Sequence, residues 1–184
     1  MKRYNKILLL LILLIPLTLC SCKKKDTIME NYPSITDKKH VIVELSPKEL
    51  IEKISNQESF IVTLGFEACP WCQALMPEYN EVAKSEGLKE VYYVDIKDMR
   101  DNVESSDRIY YLALYSYFNE IVDIEKDRIN APTMLAIKNG KLEAFHIDTV
   151  STHTINEQGI LPALTAEQKT ELYSIIKGLI SKVK

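Results

Sequence analysis

The chain has 184 residues, with 23 basic and 26 acidic side chains and a formal net charge of −3 at pH 7. That length suits one domain with a substantial core, and an acidic balance with no basic stripe excludes a nucleic-acid binder on electrostatic grounds. Four cysteines stand as two close pairs, at 20 and 22 and at 69 and 72, too few for a disulfide-stapled scaffold.

Lys2, Arg3 and Lys6 precede an apolar run over residues 7–19, interrupted by Pro16. The run falls short of the roughly 20 residues of a membrane span and reads as an export signal. Leu19-Cys20-Ser21-Cys22 resembles a bacterial lipobox, and Cys22, preceded by the small Ser21, fits it better than Cys20. The resemblance implies a signal peptide over 1–21 and a lipid-carrying Cys22, whose sulfur is then a thioether. Membrane attachment would follow, with Lys23, Lys24 and Lys25 favouring anionic headgroups. A plain secretory signal or an uncleaved anchor is the alternative. Without residues 1–21 the chain has 163 residues, 20 basic and 26 acidic, and a net charge of −6.

Residues 22–40 are polar and contain Pro33, as a flexible tether would. Residues 41–45 fit a short first strand. Ser46-Pro47-Lys48-Glu49 combines a capping box with proline at the first helical position, and Leu50, Ile51 and Ile54 supply that helix's apolar face. The apolar, partly β-branched run 60–66 suits a buried central strand. A helix follows over 69–85, kinked at Pro77, and residues 91–96 form another strand. A helix is predicted over 105–124, with Tyr110, Tyr111, Tyr115, Tyr117 and Phe118 serving packing rather than a ligand box. Residues 133–137 and 141–147 flank Asn139-Gly140, a tight-turn signal for an antiparallel hairpin. His146 belongs to this hairpin as a packed residue, and His153 to a polar, solvated loop over 148–164. Thr165-Ala166-Glu167-Gln168 opens a C-terminal helix. The order β-α-β-α-β-α-β-β-α calls for an α/β fold, a mostly parallel sheet with one antiparallel hairpin and helices on both faces.

Cys69-Pro70-Trp71-Cys72 places two thiols three residues apart on the first turn of a helix. Such a pair can close into a disulfide with little backbone movement and reopen by thiol exchange. Export puts it where disulfides persist. Zinc would need four ligands, and only the scattered His40, His146 and His153 remain to add. A permanent structural disulfide is the other alternative. The acidic residues Asp95, Asp98, Asp101, Glu104 and Asp107 lack the glycine and ligand order of a calcium loop and fit a solvated face. No metal or organic cofactor is implied.

The motif, Pro77 five residues after Cys72, and Ala131-Pro132-Thr133 opening a hairpin that turns at Lys138-Asn139-Gly140 resemble the thioredoxin superfamily over about residues 41–184. Within it the chain is most similar to lipid-anchored extracytoplasmic thioredoxin-like proteins, with a weaker likeness to bacteriocin transport accessory proteins. The resemblance implies a thioredoxin-like fold in which Cys69 is the exposed nucleophile, its thiolate favoured by the helix N-terminus. Cys72 would resolve the mixed disulfide. Pro132 would be cis, Ala131 would offer its backbone to an extended substrate, and Trp71 would shape the docking surface. The chain departs from thioredoxin at Thr63, where thioredoxin has a buried Asp, near Tyr93, where it has Lys, and at Ala68, where it has Trp. Glu67 is the nearest acidic candidate for the proton relay this leaves open, with a surface charge or a bound water as alternatives. The implied function is a membrane-tethered thiol–disulfide oxidoreductase of the extracytoplasmic face. Its partners would be thiols or disulfides of exported proteins and a redox protein that resets the dithiol. The alternative is a non-catalytic accessory lipoprotein docking in an export or envelope complex.

Overall fold

In chain order the elements are helix α1 (Ile28–Asn31), strand β1 (Ile42–Glu44), helix α2 (Pro47–Ser55), strand β2 (Phe60–Gly65), helix α3 (Pro70–Ser85) and strand β3 (Val91–Asp95). Helices α4 (Lys97–Asp101) and α5 (Arg108–Tyr117) follow, then a 3-10 turn (Asn119–Ile121) and the short strands β4 (Val122–Asp123) and β5 (Arg128–Ile129). Strands β6 (Thr133–Lys138) and β7 (Lys141–Ile147) and helix α6 (Ala166–Val183) complete the chain. This computed structural model describes residues 27–184; the segment expected to be a signal peptide, Cys20, Cys22 and the three lysines after it lie outside the described residues.

Five strands form one sheet in the order β1-β3-β2-β6-β7. β3 pairs in parallel with both β1 and β2, while β6 runs antiparallel to β2 and to β7. Every residue of β2 is buried, as a central strand covered on both faces requires. Alternation distributes the side chains. Ile61, Tyr93, Met134 and Ala136 join the core beneath α3 and α6, whereas Val62, Val94, Leu135 and Ile137 join the core beneath α2 and α5. Both capping boxes form, at Ser46 with Glu49 and at Thr165 with Gln168. The β6–β7 turn has Asn139 and Gly140 at φ 50° and 74°, the left-handed pair that a two-residue hairpin demands.

Three expectations are corrected. Residues 27–40, read as part of a tether, pack on the domain. Ile28, Tyr32 and Ile35 are buried, the Tyr32 hydroxyl donates to that of Tyr93 at 3.0 Å, and Gln73 Nε2 donates to the Asn31 carbonyl at 2.8 Å. Three apolar side chains among polar neighbours are enough to fasten the segment beside α3. The single helix over 105–124 is replaced by α5, the 3-10 turn and the β4–β5 ribbon. Phe118 leaves the helical region at φ −141° and ψ 67°, and the Tyr111 and Tyr115 hydroxyls bond the Ile129 N–H and the Asp127 carbonyl, drawing the following chain back over α5. His153, expected in solvent, is 2 % exposed; Thr149 Oγ1 lies 2.7 Å from its Nδ1 and the Pro162 carbonyl 2.8 Å from its Nε2.

Candidate active site

β2 ends at Gly65, and four residues later Cys69 caps α3 with an extended backbone. Pro70 takes the first helical position, where a missing N–H costs nothing. The cap is a sulfur: Cys69 Sγ accepts from the Cys72 N–H at 3.3 Å. The same thiol donates to the Ala131 carbonyl at 3.3 Å, and the Ala131–Pro132 bond that follows is cis. The structure therefore brings Cys69, Cys72, Ala131 and Pro132 together from two distant parts of the chain.

Cys69 is less open than expected for an exposed nucleophile. It is only 4 % exposed, with Cys72 wholly buried beneath it, and both are free thiols. The contact with the Ala131 carbonyl covers Cys69 from the strand side. The two sulfurs are electrostatically opposite. The hydrogen bond from the Cys72 thiol, helped by the N–H groups of Cys72 and Trp71, lowers the Cys69 thiol to about 7 against the opposing effect of burial. Burial, followed by the neighbouring Cys69, pushes Cys72 far up and keeps it protonated. One thiol is poised to ionise near neutrality, and its neighbour holds a proton.

Beneath Cys72 the sheet makes room. A β-carbon on Gly65 would stand 2.9 Å from Cys72 Sγ and 3.4 Å from the Tyr93 ring, so the strand needs glycine there for the thiol to seat. Asp95 pairs in register with Gly65 and Tyr93 with Thr63, which places all four on the face that carries the dithiol. Burial raises the Asp95 carboxyl above the ordinary carboxylate range, and its charge is felt at Cys72. Thr63, at the position of thioredoxin's buried Asp, is itself fully buried and offers a hydroxyl instead of a carboxylate. Glu67 is exposed, and no hydrogen bond joins its carboxylate to either cysteine among the described residues. Asp95 is thus a carboxylate whose charge reaches Cys72 from the strand beside Gly65. Its position, two residues beyond a strand residue that shares the core with Cys72, was legible through strand periodicity, but it reads at first as one more acidic residue of a solvated run. Trp71 is half-buried, and its indole N–H donates to the His153 carbonyl at 3.1 Å, a tie between the motif and the 148–164 loop that no local pattern signals.

A parallel three-strand unit extended by an antiparallel hairpin, a dithiol capping the first helix after the central strand, and a cis Ala131–Pro132 bond whose Ala131 carbonyl accepts from Cys69 define one architecture. The fold is thioredoxin-like. No protein-family model matches the sequence, and neither does any curated protein. Thioredoxins are among the solved structures to which the chain is similar. A poplar thioredoxin h is 12 % identical, with 76 % of this chain and 96 % of its own covered at a TM-score of 0.44. Plasmodium falciparum thioredoxin is 20 % identical over 74 % and 96 %, at 0.42. Mitochondrial thioredoxin 3 of Saccharomyces cerevisiae is 15 % identical over 80 % and 98 %, at 0.42. The thioredoxin-like domain carries a groove of about 450 Å³ beside the motif, reaching from Cys69 and Ala131 to Arg100, Lys126, Arg128 and Asp148. Arg100, Lys126 and Arg128 are absent from the site expected from sequence because nothing local predicts that residues 97–130 fold back onto it; Asp148, just past β7, comes beside the motif through its backbone bond to the Pro132 carbonyl.

Proposed function

We propose that this protein is a thiol–disulfide oxidoreductase that works through Cys69 and Cys72 on exported proteins, held to the membrane by lipid on Cys22. The observation that supports the reading is the arrangement of the two thiols: Cys69 caps the helix, accepts from the Cys72 N–H at 3.3 Å and meets the Ala131 carbonyl before a cis-proline, a setting that lowers the Cys69 thiol while burial keeps Cys72 protonated. In the reductive direction the Cys69 thiolate attacks a substrate disulfide, and the departing substrate sulfur leaves as a thiolate. Cys72 then gives up its proton and attacks the Cys69 sulfur, which releases the second substrate thiolate and leaves the pair oxidised. Two electrons have passed to the substrate, and a separate redox protein must return them. Oxidation of a substrate dithiol is the same sequence reversed. Asp95, under the resolving thiol, is the group placed to receive the Cys72 proton, and the cis-Pro132 loop presents Ala131 to an extended substrate segment.

The deciding experiment is a redox titration of the pair in a glutathione or dithiothreitol series, read by thiol alkylation. The expected result is a reversible two-electron transition that Cys69→Ala eliminates, together with all exchange activity. A pair that never titrates reversibly, or a function that survives Cys69→Ala, would sink the enzyme reading in favour of a docking module.

A further inference from the structure

We propose that the segment over residues 97–130 is a specificity device that makes the dithiol prefer substrates with acidic side chains next to the reactive sulfur. The inference rests on the exchange reading above and concerns which polypeptides that chemistry selects. It begins with a local reversal of charge. The protein is acidic overall, yet the groove beside Cys69 is lined by Arg100, Lys126 and Arg128 against one carboxylate, Asp148.

The three cations are not equivalent. Arg100 is spoken for: its guanidinium bonds Asp101 at 2.7 and 3.0 Å and stacks 4.9 Å over the Phe66 ring. Lys126 pairs with Asp123 at 2.8 Å. Arg128 is exposed and makes no ion pair or hydrogen bond through its guanidinium among the described residues. An arginine presents five donors in a planar fork that matches a carboxylate two bonds at a time. Here that fork stands unfilled in the groove that holds the Cys69 sulfur. Asp148 stays beside the motif, where its backbone N–H donates to the Pro132 carbonyl at 2.8 Å.

The ribbon that bears Lys126 and Arg128 is fixed in place. The Tyr111 hydroxyl accepts from the Ile129 N–H at 2.9 Å, and the Tyr115 hydroxyl donates to the Asp127 carbonyl at 2.7 Å. Asn130 Nδ2 donates to Asp123 at 2.9 Å. Arg108 ties α5 to α4 by donating to the Met99 and Arg100 carbonyls at 3.1 and 2.7 Å. With the backbone beneath Arg128 already fixed, only the side chain remains to be ordered when a partner arrives. The occupant that fits is an extended segment whose cysteine meets Cys69 while a neighbouring Glu or Asp reaches Arg128.

The test uses the purified, pre-reduced protein and two peptides, acetyl-Glu-Cys-Glu-amide and acetyl-Lys-Cys-Lys-amide, each as a mixed disulfide with pyridine-2-thiol. Cys69 attacks the peptide sulfur and pyridine-2-thione leaves. Cys72 then displaces the peptide thiolate, so the protein pair is oxidised as the mixed disulfide is reduced. Each rate is normalised to that of the same peptide with dithiothreitol. At low salt the acidic peptide should react roughly 5- to 10-fold faster, the scale of one or two exposed charge pairs. The gap should close near 1 M salt, where screening acts over about 3 Å, and Arg128→Glu should abolish or reverse it. Equal rates in the unmodified protein, or a preference indifferent to both salt and Arg128→Glu, overturns the selectivity and leaves the exchange chemistry standing. No reaction with either peptide overturns both.

Discussion

Around Cys69 the chain is fixed by packing. Gly65 clears space for the Cys72 thiol, Tyr93 and Tyr32 close edge to face at 5.4 Å, and every side chain of β2 is buried. Across the groove the same chain is fixed by grip. Tyr111, Tyr115, Arg108 and Asp123 hold backbone groups that no strand or helix satisfies. Packing spreads stability over many small contacts, each adding little. Grip concentrates it in single hydrogen bonds, and at Ile129 the loss of one strands a buried donor. The two halves of one site should therefore fail in different ways.

The largest effect should come from Gly65→Ala. The added methyl meets Cys72 Sγ inside contact distance, and overpacking of this kind costs about 1–3 kcal/mol. A urea midpoint should fall for the whole domain, with amide exchange in the β4–β5 ribbon quickened no more than elsewhere. Tyr111→Phe comes next, because it leaves the buried Ile129 N–H without its acceptor, at about 1–2 kcal/mol. Hydrogen exchange should quicken at Ile129 and its neighbours while the potential of the dithiol stays put. A global loss from Tyr111→Phe, or a merely local one from Gly65→Ala, would erase the distinction.

A pH profile sharpens the packed side. With the Cys69 thiol at about 7, its alkylation rate should rise about tenfold between roughly pH 6 and pH 8, because only the thiolate reacts. The sign for stability is the same. A thiol depressed from 9.0 to about 7 on folding stabilises the reduced protein fully above about pH 9, and this contribution is lost as pH falls through about 7. A midpoint near that of a free thiol would remove the electrostatic argument. The smallest effect expected is that of Asp95→Asn, a several-fold slowing of substrate release from the mixed disulfide with the first attack unchanged. The Asp95 charge raises the Cys72 thiol, so if its field were its only influence, neutralising it would accelerate release. Rapid-quench trapping of the mixed disulfide separates the two.

The same contrast explains what could be read in advance. Strand alternation, the two capping boxes and Asn139-Gly140 each encode their outcome within a few residues, and the sheet and its hairpin follow from them; the meeting of Cys69 with the Ala131–Pro132 loop was legible only through the family resemblance. Residues 97–130 resist such reading because Tyr111 and Tyr115 look like a helix's apolar stripe, while their hydroxyls bond backbone 12 to 18 positions away. The 27–40 segment was obscured by averaging, since its polar composition hides Ile28, Tyr32 and Ile35. Glu67 drew attention by standing next to the motif in sequence. Asp95 lies next to it in space because parallel pairing sets it opposite Gly65, a relation that depends on register.

Trp71 is the chain's single tryptophan, fixed between the two cysteines and anchored to His153. The protein therefore carries its own optical reporter at the reacting centre. Emission from one indole, with no label and no second fluorophore of its kind to dilute the signal, would follow each closure and opening of the dithiol in real time.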